Sequence, residues 1–238
     1  MNRASLLLPA ALLAACSTPA PYVTTVGALH PGATLAVRVG SGVVNAYQPA
    51  QNQARDLFTV SATALARGTP PPAPRLHAAP LGVVVRAPYA YQALLVRVPD
   101  GVNLVIDSQR GNVNVTDISG NVRVAARRGN VDIKIPGYAQ AAVGDGNLSV
   151  MMGAIQWPGT LHFVAARGDV ELWIEARAAF GVHLHTDNGV LFTDFGLRGT
   201  ANGSAETIDG IVNGNAAQRI DVETRDGAIR LLRLQPQP

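Results

Sequence analysis

The chain is poor in most residues that carry chemistry. It has a single cysteine among 238 residues, Cys16, so no disulfide framework can staple it. Lys134 is the only lysine among 19 basic residues, and no basic run or stripe of the kind nucleic acids require is present, so a nucleic-acid partner is not expected. A net charge of +3 is too small by itself to imply a polyanionic partner. Aromatics are only 5% of the residues, too few for a stacking ladder of the sugar-platform type; Trp157 falls near Pro158 in an expected loop, and Trp173 on an outward phase. P-loop, nucleophile-elbow and dinucleotide fingerprints are missing. The one strongly apolar run, Leu6 to Leu13, is too short to span a bilayer as a permanent helix. What is abundant is hydrophobic residues, 47%, and 24 glycines, a composition able to fold around a core.

The first residues read as an export signal. Met1-Asn2-Arg3 gives a minimal positive start, Leu6 to Leu13 an apolar segment, and Ala14 and Ala15 the small residues before a cleavage point. Leu13-Ala14-Ala15-Cys16 resembles the lipobox of bacterial lipoproteins. The resemblance implies a signal peptide over 1–15, cleavage before Cys16, acylation of that cysteine, and a tether over 16–25. The alternative is an ordinary secretory peptide that leaves a free thiol. Several acyl chains would hold the protein durably on a membrane. Ser17 after the cysteine fits outer-membrane sorting in a bacterium with two membranes.

From Gly111 onward one pattern recurs: a Gly, often followed by Asn or Asp, with hydrophobic residues two and four positions later. Gly111 (Val113, Val115), Gly129 (Val131, Ile133), Gly146 (Leu148, Val150), Gly168 (Val170, Leu172) and Gly227 (Ile229, Leu231) show it, and Gly120, Gly189 and Gly210 are placed in the same series. Apolar positions also alternate before each Gly, as in Leu161, Phe163 and Ala165. Alternation at period two marks half-buried strands. The odd step across the Gly would turn a flat strand to the wrong face, so a corner or bulge is expected there. Successive glycines lie 9, 9, 17, 22, 21, 21 and 17 residues apart (120−111, 129−120, 146−129, 168−146, 189−168, 210−189, 227−210). The expected fold class is therefore all-β: a single-stranded β-solenoid or β-helix with coils of roughly 17–22 residues over 101–234. A meandering β-sandwich also uses alternating strands, but it explains the fixed glycine phase less well. In the solenoid, Val131, Leu148, Val170 and Leu191 should line up in one interior column, and the Gly227 coil should form the open end, blunted by Arg230 and Arg233.

Residues 26–100 read as a looser β-rich portion. Leu35, Val37 and Val39 before Gly42, with Val44 and Ala46 after it, fit the repeat; Leu57 to Ala64 and Gly82 to Arg86 look like strands; 68–80, with five prolines, is expected as a loop. The stretch from Leu94 through Val98-Pro99-Asp100 and Gly111-Asn112 to Val115, followed by the later Gly-Asn and Gly-Asp repeats, resembles the bacterial family known as domain of unknown function 4097, adhesin-like proteins of β-strand repeats. The resemblance implies a β-solenoid, export or membrane association, and no established activity.

Candidate chemistry is sparse. His183, His185 and Asp187 share the outward face of one strand. If coils stack in chain order, His162, His183, His185 and Glu206 converge on one patch able to hold a divalent metal; a solvated polar ladder is the plainer reading. Asn112, Asn121, Asn130 and Asn147 follow glycines, where turn duty explains them. Asp169, Glu171, Arg167, Asp187, Asp194, Asp209 and Asp226 could serve a polysaccharide-active β-helix enzyme, but spacing singles out no catalytic pair. The expectation is a non-catalytic cell-envelope lipoprotein, with no resident cofactor, that presents strand faces to an envelope protein or glycan. The alternatives are a metal- or small-ligand-binding periplasmic module using the histidine face, and then a polysaccharide-active enzyme.

Overall fold

A computed structural model describes residues 20–49, 56–66, 68–214 and 217–234. The expected signal peptide and Cys16 lie outside the described residues. Among those described, every regular element is a β-strand. In the N-terminal part these are β1 Tyr22–Ala28, β2 Thr34–Tyr47, β3 Leu57–Thr63, β4 Arg75–Ala79 and β5 Gly82–Arg97. The middle supplies β6 Asn103–Ser108, β7 Val113–Thr116, β8 Val122–Arg128, β9 Val131–Ile135, β10 Ala139–Asp145 and β11 Leu148–Met152. Then follow β12 Thr160–Arg167, β13 Val170–Glu175, β14 Phe180–Asn188, β15 Leu191–Thr193, β16 Thr200–Asn202, β17 Ala205–Val212, β18 Arg219–Asp226 and β19 Ile229–Leu234.

Each rung is a strand, a glycine corner and a second strand, as the alternation requires. Before the corner the rungs pair in parallel in the order β5, β2, β6, β8, β10, β12, β18, β14. After it the order is β5, β2, β7, β9, β11, β13, β19, β15. β2 and β5 are long enough to run through the corner, with register shifts between Val39 and Val43 where the bulge falls. Eight rungs at about 4.8 Å make a stack roughly 34 Å long.

Inward residues form continuous columns. One runs Leu94, Val44, Val113, Val131, Leu148, Val170, Ile229, Leu191. The four residues expected to align do so, with Ile229 interposed before Leu191. Another column runs Val85, Val37, Ile106, Val124, Ala141, Phe163, Val222, Leu184, and all eight are buried. Burying each large aliphatic side chain contributes about 1.5–3 kcal/mol, and no rung could bury its own apolar edge alone.

The corner explains the glycine. A Cβ on Gly129 would lie 2.3 Å from the Gly111 carbonyl oxygen, one on Gly146 2.3 Å from that of Gly129, and one on Gly168 2.1 Å from that of Gly146. These glycines also have φ between +125° and +143°, a region L side chains rarely occupy. The residue after each glycine builds a second ladder. The Asn112 side-chain oxygen accepts from the Asn130 N–H at 3.0 Å, Asn130 from Asn147 at 2.9 Å, Asn147 from Asp169 at 3.0 Å, and Asp169 from Ala228 at 2.8 Å. These asparagines therefore tie adjacent rungs together, which goes beyond turn duty.

Four expectations are corrected. Gly120 is not in the corner column: it sits at the opposite corner, against the Val102 carbonyl. The true step from Gly111 is thus 18 residues (129−111). Gly210 lies inside β17, which runs antiparallel to β14 and forms a hairpin with β16. The C-terminal coil is not the open end, because β18 and β19 insert between β12–β13 and β14–β15. Within the expected loop 68–80, Arg75–Ala79 forms β4, an edge strand antiparallel to β5; its own residues carry no proline, so its backbone donors stay intact. Variation in coil length falls at the second corner, where the longest described connection, between β11 and β12, carries Trp157. That side chain is buried, packs on Phe180 at 5.6 Å and donates its indole N–H to the Arg219 carbonyl at 3.1 Å.

Candidate functional site: the outward polar face

Side chains that alternate with the buried columns face outward. Toward the β14 end, one outward row reads His162, Asp221, His183, Asp209, and the next reads Val164, Glu223, His185, Thr207. His183 Nδ1 lies 2.8 Å from Asp209 and His162 Nδ1 3.5 Å from Asp221. His185 contacts the Thr207 hydroxyl through Nδ1 at 2.9 Å and Asp187 through Nε2 at 3.0 Å. The His183 and His185 rings lie parallel, with centroids 6.3 Å apart.

The quartet of His162, His183, His185 and Glu206 is not brought together. Insertion of β18 places Asp221 between His162 and His183, separating those two by two rungs, roughly 9.6 Å. Glu206 falls out of the patch because β17 runs antiparallel: Asp209 and Thr207 pair with the histidines, so Glu206 is on the other face of that strand. Its carboxylate accepts the Leu191 N–H at 2.9 Å. Among the described residues no group of three or more His, Cys, Asp or Glu side chains is arranged to hold a metal ion.

The carboxylates weighed for catalysis are held by local partners. Asp169 belongs to the corner ladder, Glu171 accepts from the Trp173 indole at 2.7 Å, and Asp194 accepts from the Arg233 N–H at 3.2 Å. Asp226 pairs with Arg225 at 3.2 Å, and Arg167 closes on Asp145 from the next rung.

The opposite end of the same face is basic. Arg75, Arg86 and Arg38 stand opposite one another on β4, β5 and β2. Arg110, Arg127 and Arg128 gather at the neighbouring corner. Sequence reading missed this district because its arginines are scattered from position 38 to 128 and only stacking joins them. The available signal was their phase: Arg38, Arg110 and Arg128 lie four, one and one residues before Gly42, Gly111 and Gly129.

The profile of the Toastrack DUF4097 family matches residues 96–232, more than half of the chain. The chain belongs to that family. The Toastrack match starts within β5, whereas β2 from the preceding segment is already a full rung of the stack. No curated protein matches the chain. Among solved structures, the Toastrack chain is similar to a "putative cell adhesion protein" from Clostridium sporogenes, with 9% identity and a TM-score of 0.51 over 90% of this chain and 100% of that one. A "putative adhesin" from Bacteroides fragilis shows 7% identity and a TM-score of 0.33 over 90% of this chain and 97% of that one. At such identities the first of these supports the fold alone.

Proposed function

We propose that this Toastrack chain is a non-catalytic, adhesin-like protein of the cell envelope, carried on a membrane by lipid at Cys16, with the outer membrane as its site in a two-membrane bacterium. The stack is a stiff rod whose rungs are fixed by glycine, asparagine and aliphatic columns. The observation that carries the reading is the arrangement of its outward rows. Arg123 and Ala125 on β8, Ala142 on β10 and His162 on β12 are exposed on three consecutive rungs before the corner, and Asn114, Asp132, Ser149 and Glu171 repeat at one phase after it. Such faces suit shallow contact repeated along a rod, with a protein or glycan as the other side. The carboxylates available for catalysis are committed to rung ladders and ion pairs, which supports a contact role.

Two measurements test this. Cells lacking the gene, complemented with the wild-type chain or with Cys16→Ser, are compared for attachment to host matrix, glycan-coated and abiotic surfaces. Radiolabelled palmitate is followed into the chain. Loss of attachment in the deletion and no restoration by Cys16→Ser is expected, together with label that disappears in the same variant. Unchanged attachment in the deletion overturns the contact role; label retained by Cys16→Ser overturns the anchor.

A further inference from the structure

The arginine end of the outward face is costly as a fold element. Arg75 and Arg86 are directly paired, as are Arg86 and Arg38, so three like charges occupy adjacent strands, an arrangement that destabilises a sheet. Arg110, Arg127 and Arg128 then join Gly40 and Gln109 around a cleft of about 290 Å³. A second cleft of about 360 Å³ adjoins it through Gly40 and Gln109 and brings in Arg38, Arg86 and Asp107. All six arginines are exposed. Among the described residues, Arg128 alone of the six forms an ion pair, with Asp145 at 3.6 Å, and it shares that carboxylate with Arg167. The small overall charge of +3 hides this local concentration.

We propose that these joined clefts bind an acidic polysaccharide of the polyuronate class. The proposal rests on the contact reading above and names its partner. Three features select this ligand. Guanidinium groups present paired N–H donors that match a carboxylate in two-point fashion. The arginine row repeats at the rung spacing of about 4.8 Å, close to the length of one pyranose residue, so successive acid groups meet successive rungs. Between the arginines stand the Gln109 amide and the Asp107 carboxylate, joined by a 3.4 Å hydrogen bond, which supply donors and an acceptor for sugar hydroxyls. The apolar side chains that line the second cleft are two small ones, Pro88 and the buried Val39. A surface built to enter a bilayer would instead carry large apolar side chains among its basic ones.

The test is fluorescence anisotropy with a fluorescein-labelled oligogalacturonate and the full chain. Arg110→Gln, Arg127→Gln and Arg128→Gln together are expected to weaken binding at least tenfold. The same change of charge at the other end of the stack, Arg225→Gln with Arg230→Gln and Arg233→Gln, is expected to weaken it less than twofold. Arg38→Lys with Arg86→Lys keeps the charge but removes the fork, and a several-fold loss is expected. Circular dichroism and melting temperature verify folding; removal of like charges should leave the cleft variants at least as stable as the parent. The proposal is overturned by absence of binding, by equal losses in both triple variants, or by undiminished binding of the methyl-esterified, uncharged oligosaccharide. Tighter binding of polyglutamate, or of phosphatidylglycerol vesicles over phosphatidylcholine ones, also overturns it in favour of a peptide or a membrane. Because attachment of cells is measured separately, failure here leaves the contact role standing.

Discussion

Gly168→Ala should be among the most damaging small substitutions in this protein. The added methyl group would lie 2.1 Å from the Gly146 carbonyl oxygen and 2.7 Å from its carbon, well over roughly 1 Å short of ordinary contact. The obstacle is backbone, so no side chain can swing away. Separating the rungs strains the Gly146 N–H bond to the Arg167 carbonyl and the Leu148 N–H bond to the Asp169 carbonyl, each 2.9 Å and each worth about 1 kcal/mol net. Holding alanine at a φ of +136° adds about 1–2 kcal/mol. The total, about 3–4 kcal/mol, is a large part of the 5–15 kcal/mol that typically stabilises a domain. Gly159→Ala is the matched control, because Gly159 has φ +66° but nothing within 4 Å of its Cβ position, so only about 1–2 kcal/mol of backbone strain applies. Urea unfolding followed by far-ultraviolet circular dichroism compares them. With an m-value of about 3 kcal/mol/M, a difference of about 2 kcal/mol lowers the Gly168→Ala midpoint by roughly 0.7 M relative to Gly159→Ala. Equal midpoints would refute the carbonyl-contact account of the corner.

Other predictions follow from single contacts. Asn130→Ala removes the acceptor of the Asn147 N–H and should cost about 1 kcal/mol in urea unfolding, whereas Asn130→Asp, which preserves an acceptor as Asp169 does, should cost less. Trp157→Ala empties the plug at the second corner and should cost about 3–5 kcal/mol, read as a lower melting temperature. Burial, reinforced by nearby Tyr89, pushes the Tyr91 phenol above its ordinary value, and its hydroxyl donates to the Pro72 carbonyl at 3.0 Å. A phenol whose folded pKa exceeds the unfolded value of about 10 contributes fully below that pH and loses its contribution as pH rises through the folded value. Melting temperature should therefore fall above about pH 10 in the parent and fall less steeply in Tyr91→Phe. His183→Ala with His185→Ala should leave bound zinc and copper, measured by elemental mass spectrometry, unchanged; a loss of metal would show that these histidines bind it despite the separation from His162 and Glu206.

The local logic of the rung was legible because it is enforced locally. Val131, Ile133, Leu148 and Val150 alternate whatever lies above them, and a carbonyl stacked under each corner demands glycine. The order of the rungs was not legible. Ile229 fits between Val170 and Leu191 as well as any aliphatic residue, so the columns hold no address that would reveal the insertion of β18 and β19. That omission displaced His162 from His183 and assigned Glu206 to the wrong face. Gly120 was misplaced for a related reason. Its corner uses the same device, with the Asn121 N–H bound by the Asn103 side chain at 3.0 Å, and therefore carries the same Gly-Asn-Val wording. The basic clefts were invisible because their members come from four strands, β2, β5, β6 and β8, and from the corner that follows β6.

Insertion of the C-terminal strands β18 and β19 into interior rungs changes how the rod can come apart. Linear repeat arrays ordinarily lose their terminal units first, since a released end gains the freedom of a loose tail. Here the outermost full rungs, β5 on one side and β14–β15 on the other, are middle segments of polypeptide whose two flanks remain held. Peeling either one yields only a closed loop, with a smaller gain in entropy. A pulling force applied to the chain just after β19 would first have to extract a strand pair clamped on both edges, which makes this rod resistant to unzipping from that side.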